Sequence, residues 1–184
     1  PGQRDLLPFD NPGNVVRWIV DRRDEVRVAV SRDPDKDRDR VTLFHRADQK
    51  SPWVKLQEFN SKELTIDPIA FDFDNRTLYV RSNKGRNNVA ILRYDLDKKD
   101  VGELVSESAT FDIGSLRFDV SKQKLVGIGT GDRSESLSGM KWLDEDWQRV
   151  QKMVDSALPG RMNFLSWGSQ VPNRVLVSSW SDTY

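Results

Sequence analysis

A repeat of about fifty residues constrains the fold of this chain more than any single motif does. Four times, an aromatic residue is followed after seven or eight positions by an apolar residue that begins a predicted strand. The aromatic residues are spaced 53, 47 and 49 positions apart. The four pairs are Trp18 with Val26, Phe71 with Leu78, Phe118 with Leu125, and Trp167 with Val175. A period of this length, with several short strands in each unit, is typical of β-propeller blades.

The first two units each contain four predicted strands. In the second of these strands, Val26, Val28 and Val30 alternate with other residues, which is the period-two pattern of a half-buried strand. Short polar turns separate the strands, and their Asp and Asn residues suit turns because their side chains bond to the local backbone. The eight predicted strands are Val15–Asp21, Val26–Ser31, Val41–Arg46, Trp53–Phe59, Ile69–Phe73, Thr77–Ser82, Val89–Asp95 and Val101–Val105.

The third unit changes from a strand pattern to a helical one. After three predicted strands, Trp147, Val150, Val154 and Leu158 recur at helical spacing and share one face. Asp144 or Asp146 is placed to cap the start of this short helical insert near 144–158, and a Pro-Gly pair ends it. The strands of the last two units are Leu116–Val120, Lys124–Gly129, Leu137–Leu143, Met162–Trp167 and Arg174–Trp180.

These elements predict an all-β fold. We expect residues 1–184 to form a partial β-propeller of about three and a half four-stranded blades, interrupted by one helix. Because a closed propeller contains about 4–8 blades, we expect an incomplete ring with an exposed blade face. Such a face is apolar and favours self-association.

Composition excludes several classes of function. The 29 Lys and Arg residues balance 29 Asp and Glu residues, so no overall field favours nucleic acid or an anionic membrane. The absence of cysteine excludes disulfides, thiolate chemistry and cysteine-ligated zinc. No apolar run approaches the roughly 20 residues that span a bilayer. The chain opens at Pro1-Gly2 rather than at methionine, which indicates a processed or excised piece.

No group of residues predicts a catalytic centre. His45 is the only histidine, and a lone histidine on a strand is interpreted as a strand residue. A serine triad would have to use it, but no Gly-x-Ser-x-Gly pattern is present, and Gly168-Ser169 continues with Gln-Val-Pro. We therefore predict no catalytic residue and no activity for this chain alone.

Two further patterns resemble ligand sites and are interpreted as structural. Asp33, Asp35, Asp37 and Asp39 alternate with basic residues, but an EF-hand loop beginning at the first of them would need Gly and Glu where Arg38 and Phe44 stand. We therefore predict a solvated hairpin loop and no metal.

A Gly-x-Gly-x-Gly string formed by Gly127, Gly129 and Gly131 follows a strand. A dinucleotide site would need a helix to begin there. A polar loop follows instead, which favours strand bending or close backbone approach, and no cofactor is predicted.

Basic and aromatic residues give no sign of a nucleic-acid surface. The pairs Arg22-Arg23 and Lys98-Lys99 are isolated at turns and flanked by acids, so they form no continuous patch. The recurring aromatic series, Trp18, Phe71, Phe118 and Trp167, is predicted to pack between blades rather than to form a ligand cage.

Two sequence phrases resemble a known family. FDFDNRTLYVRSNKGRNNVAILRYDLD (71–97) and DEDWQRVQKMVDSALPGRMNFLSWGSQ (144–170) resemble the N-terminal propeller of bacterial prolyl oligopeptidase-family serine peptidases, in the acylaminoacyl-peptidase or dipeptidyl-aminopeptidase-like branch. The second phrase is the more distinctive. The resemblance extends over nearly the whole chain from Asn11.

This resemblance implies a function through a partner domain. In that family the propeller covers a C-terminal α/β-hydrolase domain that carries the catalytic triad, and it restricts entry to peptides. None of the triad positions falls in this chain, so the resemblance implies a non-catalytic fragment that gates and positions peptide substrates for an absent hydrolase domain. It leaves open whether the parent protein is cytoplasmic or periplasmic. The alternative is a propeller module that binds another protein and has no attached hydrolase.

Overall fold

The computed structural model describes residues 10–33, 35, 37–134, 137–168 and 174–181. These residues form thirteen strands and one helix, so the chain is β-rich as predicted. The elements are β1 (Val15–Val20), β2 (Val26–Asp33), β3 (Asp37–His45), β4 (Val54–Asn60), β5 (Ile66–Phe71), β6 (Leu78–Ser82), β7 (Ala90–Asp95), β8 (Asp100–Ser106), β9 (Ser115–Asp119), β10 (Lys124–Gly129), β11 (Met140–Trp142), α1 (Glu145–Ala157), β12 (Met162–Trp167) and β13 (Val175–Trp180).

The strands form four antiparallel sheets that follow one another along the sequence. The first sheet contains β1 to β4 and the second contains β5 to β8, each in sequence order. The third sheet contains β9 to β11, and the fourth contains β12 and β13. The helix α1 follows β11, at the point where the repeat would otherwise supply a fourth strand. This replacement of a strand by a helix confirms the prediction from the helical spacing.

Strand β5 begins earlier than the sequence predicts. It starts at Ile66 rather than at Ile69, and so includes Pro68. Proline cannot donate a ladder hydrogen bond and is tolerated on edge strands and at bulges. Both conditions hold here, because β5 is the edge of its sheet and its pairing with β6 shifts register between Pro68 and Ala70.

The repeating residue pairs of the sequence are cross-strand partners in three of the four units. Phe71 lies opposite Leu78, Phe118 opposite Leu125, and Trp167 opposite Val175. The first unit differs, because Trp18 lies opposite Ala29 and Val26 lies opposite Val20. In this unit the pair nearest the turn is Val20 with Val26, and Trp18 lies two residues farther from the turn.

Three apolar clusters fill the spaces between successive sheets. The cluster between the first two sheets contains Val28, Leu43, Phe71 and Val80, all 1% exposed or less. The next lies between the second and third sheets, and the last joins the third sheet to α1 and the fourth sheet. The buried residues of the cluster between the second and third sheets are Tyr79, Ile91, Ile113 and Ile128. Those of the cluster that joins the third sheet to α1 and the fourth sheet are Val126, Trp147 and Leu165.

The second sheet buries apolar side chains on both of its faces. In β6, Leu78 and Val80 face the first sheet, whereas Tyr79 between them faces the third. In β7, Ile91 likewise faces the third sheet and its neighbour Leu92 the first. Full burial of one such side chain contributes about 1.5–3 kcal/mol. The stability of this sheet therefore depends on both neighbouring sheets.

The helix α1 begins at its predicted cap. The side chain of Asp144 accepts hydrogen bonds from the backbone N–H groups of Asp146 and Trp147. Burial opposes ionisation of Asp144, but hydrogen bonds from Lys122 and Lys124 lower its pKa far below the usual range. Its carboxylate therefore remains charged and satisfies donors at the helix start. No helix among the described ranges has the length and apolar character needed to cross a membrane.

One side chain touches three sheets. Arg22 lies in the turn after β1, and its guanidinium carbon is 4.4 Å from the ring centre of Phe73 and 4.2 Å from that of Phe118. Phe73 follows β5 of the second sheet, and Phe118 belongs to β9 of the third. The backbone N–H of Arg22 also donates to Oδ1 of Asn75 at 2.7 Å. Arg22 therefore joins the β1, β5 and β9 ends of the first three sheets.

The fourth sheet exposes apolar side chains on the face away from α1. Phe164, Leu176 and Trp180 are 36%, 68% and 62% exposed. The opposite face packs Leu165, Trp167 and Val177 against the helix and the third sheet. An exposed apolar sheet face of this kind was expected from the incomplete repeat.

Replacing Arg22 by Ala is expected to destabilise the fold by about 1–3 kcal/mol. The change removes two cation–π contacts, each contributing about 0.5–2 kcal/mol. Arg23→Ala is the matched control, since Arg23 is the exposed neighbour in the same turn, and its effect is expected to stay within about 0.5 kcal/mol. Urea unfolding followed by tryptophan fluorescence measures both. Equal losses in the two variants would contradict the three-sheet contact.

Candidate functional site

A cleft opens between the first and second sheets. It has a volume of about 620 Å³ and is lined by residues from β1 to β5 and from the connection between β4 and β5. Its floor is apolar and is formed by Val30, Val41 and Ile66, which are at most 7% exposed. Phe59 and Leu64 extend this apolar wall. The size falls within the range of about 300–1,000 Å³ that is usual for ligand sites.

Charged side chains meet at one side of this cleft. Asp67 on β5 accepts a hydrogen bond from Nη2 of Arg17 on β1 and from Nε of Arg81 on β6, the latter at 2.9 Å. The Nη2 atom of Arg81 also contacts Asp67. The carboxylate therefore bridges a residue of the first sheet and a residue of its own sheet. The three side chains are 41%, 21% and 38% exposed for Arg17, Asp67 and Arg81, so solvent reaches all of them.

Positive charge exceeds negative charge around this network. Arg32 of β2 also lines the cleft. Burial, together with the nearby charges of Arg81 and Arg32, lowers the pKa of Arg17 from its ordinary value. Three guanidinium groups therefore lie near one carboxylate. Guanidinium groups present paired donors that match planar carboxylates and phosphates, so this arrangement is suited to binding an anionic group.

The sequence analysis did not identify these four residues. Arg17 and Arg81 stand within predicted strands, where a charged residue normally marks the solvated side, and Arg32 directly follows the predicted strand Val26–Ser31. Asp67 fell just before the predicted start of its strand. Arg17 and Asp67 are 50 positions apart, and only the packing of one sheet on the next brings them together. Among the described residues, no cluster of His, Asp and Glu is arranged to hold a metal ion.

His45 lies at the end of β3, away from the cleft. Its Nε2 is 3.4 Å from Nη2 of Arg27. Burial, with the adjacent positive charge of Arg27, lowers the pKa of His45 to about 4. Its imidazole is therefore neutral at physiological pH. The serine that the sequence analysis considered, Ser169, lies outside the described residues.

The four alternating aspartates lie mostly in strands rather than in a loop. Asp33 ends β2, and Asp37 and Asp39 belong to β3, so the connection is shorter than predicted. The backbone N–H groups of Asp35 and Asp39 donate to Oδ1 of Asp33 and Asp37, respectively. Asp39 also pairs with Lys62. The carboxylates thus accept hydrogen bonds from the hairpin itself, which is the role of Asp in tight turns.

At two positions of the glycine string, neighbouring side chains pack closely, rather than the neighbouring backbone that the sequence predicts. A Cβ atom on Gly127 would lie 2.8 Å from Cε3 of Trp142, and one on Gly129 would lie 2.4 Å from Oγ of Ser115. Gly131 has a φ of +70°, a left-handed backbone conformation that suits glycine. These contacts account for all three glycines without a bound dinucleotide.

The two basic pairs lie in turns of different sheets. Arg22 packs between aromatic rings whereas Arg23 is exposed, and Lys98-Lys99 lies in the β7–β8 turn of a different sheet.

The predicted packing of the aromatic series is confirmed for three members. Phe71, Phe118 and Trp167 each belong to a cluster between sheets. Trp18 differs, because its ring lies 5.7 Å from that of Trp53 at the start of β4 in the same sheet.

Comparisons with known proteins found no match to the chain among family models, curated proteins or solved structures. The grounds for a functional proposal are therefore the arrangement of the sheets, the cleft and the two sequence phrases.

Replacing His45 by Gln is expected to reduce the acid sensitivity of the fold. An unfolded histidine binds a proton below about pH 6.5, whereas folded His45 remains neutral down to about pH 4. The contribution of neutral His45 to the free energy of unfolding is therefore fully present above pH 6.5, and it is lost as the pH falls toward 4.

When the pH falls from 7 to 4.5, the free energy of unfolding of the unmodified chain should decrease by about 1–2 kcal/mol more than that of the His45→Gln variant. This expected difference has been reduced to allow for the partial solvent exposure of His45. Urea titrations at the two pH values measure it, and equal losses would contradict the neutral buried form.

Replacing Gly127 by Ala is expected to cost about 1–3 kcal/mol of stability, because the added methyl group overlaps the Trp142 ring. Gly114→Ala is the control, since a Cβ there meets nothing within 4 Å. Thermal unfolding by circular dichroism measures both variants. A Gly127→Ala protein as stable as the control would show that the string is not needed for packing.

Proposed function

We propose that this chain is part of a β-propeller that gates and positions peptide substrates for a serine peptidase domain encoded outside it. Each of the four sheets is one blade in this proposal, with the fourth incomplete. In this proposal the nucleophile belongs to the peptidase domain, and the chain acts by steric filtering and placement of the substrate, as caps and lids do.

The contact of Arg22 with both Phe73 and Phe118 supports a radial arrangement of blades. Sheets stacked flat on one another lie about 10 Å apart, so the first and third would be about 20 Å apart. The guanidinium carbon of Arg22, in the first sheet, is nevertheless 4.2 Å from the ring centre of Phe118 in the third. This contact favours convergence of the first strands of the three sheets at this end. Convergence of the first strands is the geometry of blades around an axis.

The contact of β1 with β5 supports the same arrangement. Arg17 on β1 reaches Asp67 on β5, although each strand is the edge of its own sheet. In a propeller the first strand of each blade lies nearest the axis, so these strands are expected to be neighbours. The resemblance of residues 71–97 and 144–170 to peptidase propellers then favours peptides as the molecules that the propeller admits.

The exposed face of the fourth sheet fits a blade that continues. Phe164, Leu176 and Trp180 would be covered by the next strand or blade in a complete ring. In the chain alone, this face is the proposed surface of self-association.

The reading frame that encodes this chain tests the proposal most simply. We expect it to continue past Tyr184 into further four-stranded repeats and then a Gly-x-Ser-x-Gly motif between a strand and a helix. The complete protein should cleave a chromogenic peptide and leave the same peptide uncut inside a folded protein. If the reading frame instead encodes only the blades that complete a propeller and then ends, the alternative function, a protein-binding module, would be favoured. Peptide cleavage by residues 1–184 alone, blocked by a serine-directed inhibitor, would overturn the proposal.

A further inference from the structure

We propose that the cleft between the first and second sheets binds the free C-terminal carboxylate of a peptide whose last residues are apolar. This adds a ligand class to the proposed handling of peptides and rests on that proposal only for the choice of a peptide. The surface that would hold the ligand is formed entirely by described residues.

The charge balance of the cleft favours an anionic group. Asp67 bonds to both Arg17 and Arg81, which leaves positive charge in excess once Arg32 is included. Among the residues that the structure describes, no side chain accepts a hydrogen bond from the guanidinium of Arg32. A ligand carboxylate at the mouth of the cleft would accept hydrogen bonds from Arg17 and Arg32, and charge-assisted bonds of this kind are the strong ones.

The remaining surface of the cleft selects for an apolar body. Val30, Val41 and Ile66 form its floor, with Phe59 and Leu64 on its wall. The accessible part of this surface comes from Val16, which also lines the cleft and is 61% exposed, and from the half-buried Phe59 and Leu64. An inorganic anion would leave these side chains in contact with water, whereas apolar side chains of a peptide would cover them and gain about 25 cal/mol for each Å² buried.

Two hydroxyl groups favour a peptide over a simple alkyl acid. Ser61 and Thr65 line the same cleft, on the connection between β4 and β5. A peptide carries amide groups that can bond to these hydroxyls, and an alkyl chain does not. The combination of guanidinium groups, apolar floor and hydroxyls therefore matches the end of a peptide.

The test uses the chain itself with N-acetyl-alanyl-leucyl-phenylalanine as the free acid and as the C-terminal amide. Isothermal titration calorimetry gives the affinities, and amide chemical shifts locate the site. We expect saturable binding of the acid, with shifts at Arg17, Thr65 and Ile66, and binding of the amide at least about tenfold weaker. Equal affinities of the acid and the amide, shifts confined to another surface, or no saturable binding of the acid would each overturn the proposal.

Variants separate charge recognition from loss of structure. Arg32→Gln breaks no described side-chain contact and should weaken binding of the acid about tenfold without changing stability. Asp67→Asn removes the competing carboxylate and should strengthen binding of the peptide acid. A structural defect would instead weaken this binding. Arg149→Gln is the control, because Arg149 lies on α1 and pairs with Asp146 far from the cleft. Unchanged affinity in both cleft variants would overturn the proposal.

Decanoate distinguishes a peptide from an alkyl acid. Weaker binding of decanoate than of the peptide acid would support the role of Ser61 and Thr65, and tighter binding would overturn the choice of a peptide. The binding test needs no peptidase activity. A failed titration therefore leaves the gating proposal in place, and a reading frame without a hydrolase domain leaves the carboxylate site in place.

Discussion

The burial of both faces of the second sheet is the constraint on which the rest of the structure depends. A thin antiparallel sheet usually has one face in water, but β6 and β7 carry apolar side chains toward the first sheet and toward the third. The sheet is therefore stable only between two neighbours, and each neighbour in turn needs another cover. For the third sheet, α1 and the fourth sheet supply that cover. The chain thus builds a series in which each sheet stabilises the next.

Within that series, the ends of the first strands are drawn together. Arg22 lies between the rings of Phe73 and Phe118, and Asp67 joins Arg17 to Arg81. The contact of Arg17 with Asp67, which supports the proposed propeller, also borders the cleft between the first two sheets. One arginine of the proposed carboxylate site, Arg17, also joins the first sheet to the second through Asp67.

The local structure could be predicted from the sequence, whereas the site could not. Strands such as β10 and β12 and the helix capped by Asp144 follow from periodicity and capping residues, which depend only on nearby positions. Trp18 was predicted to pack between blades, but its ring lies 5.7 Å from that of Trp53 in its own sheet, a contact between residues that are far apart in the sequence. Arg17 was missed because its partner, Asp67, lies on another sheet. Which charges meet in the cleft depends on how the sheets pack, and that arrangement is not encoded in any short window.

The radial arrangement of the sheets is the central claim, and distances between nitroxide labels test it most directly. The chain has no cysteine, so labelled cysteine pairs can be introduced one pair at a time. One pair, Arg23→Cys with Ser121→Cys, joins the turns that follow β1 and β9. The other, Val54→Cys with Lys141→Cys, joins the outer strands β4 and β11 of the same two sheets. The account predicts a clearly shorter distance for the inner pair than for the outer pair. Equal distances near about 20 Å, as in a flat stack of three sheets, would contradict it.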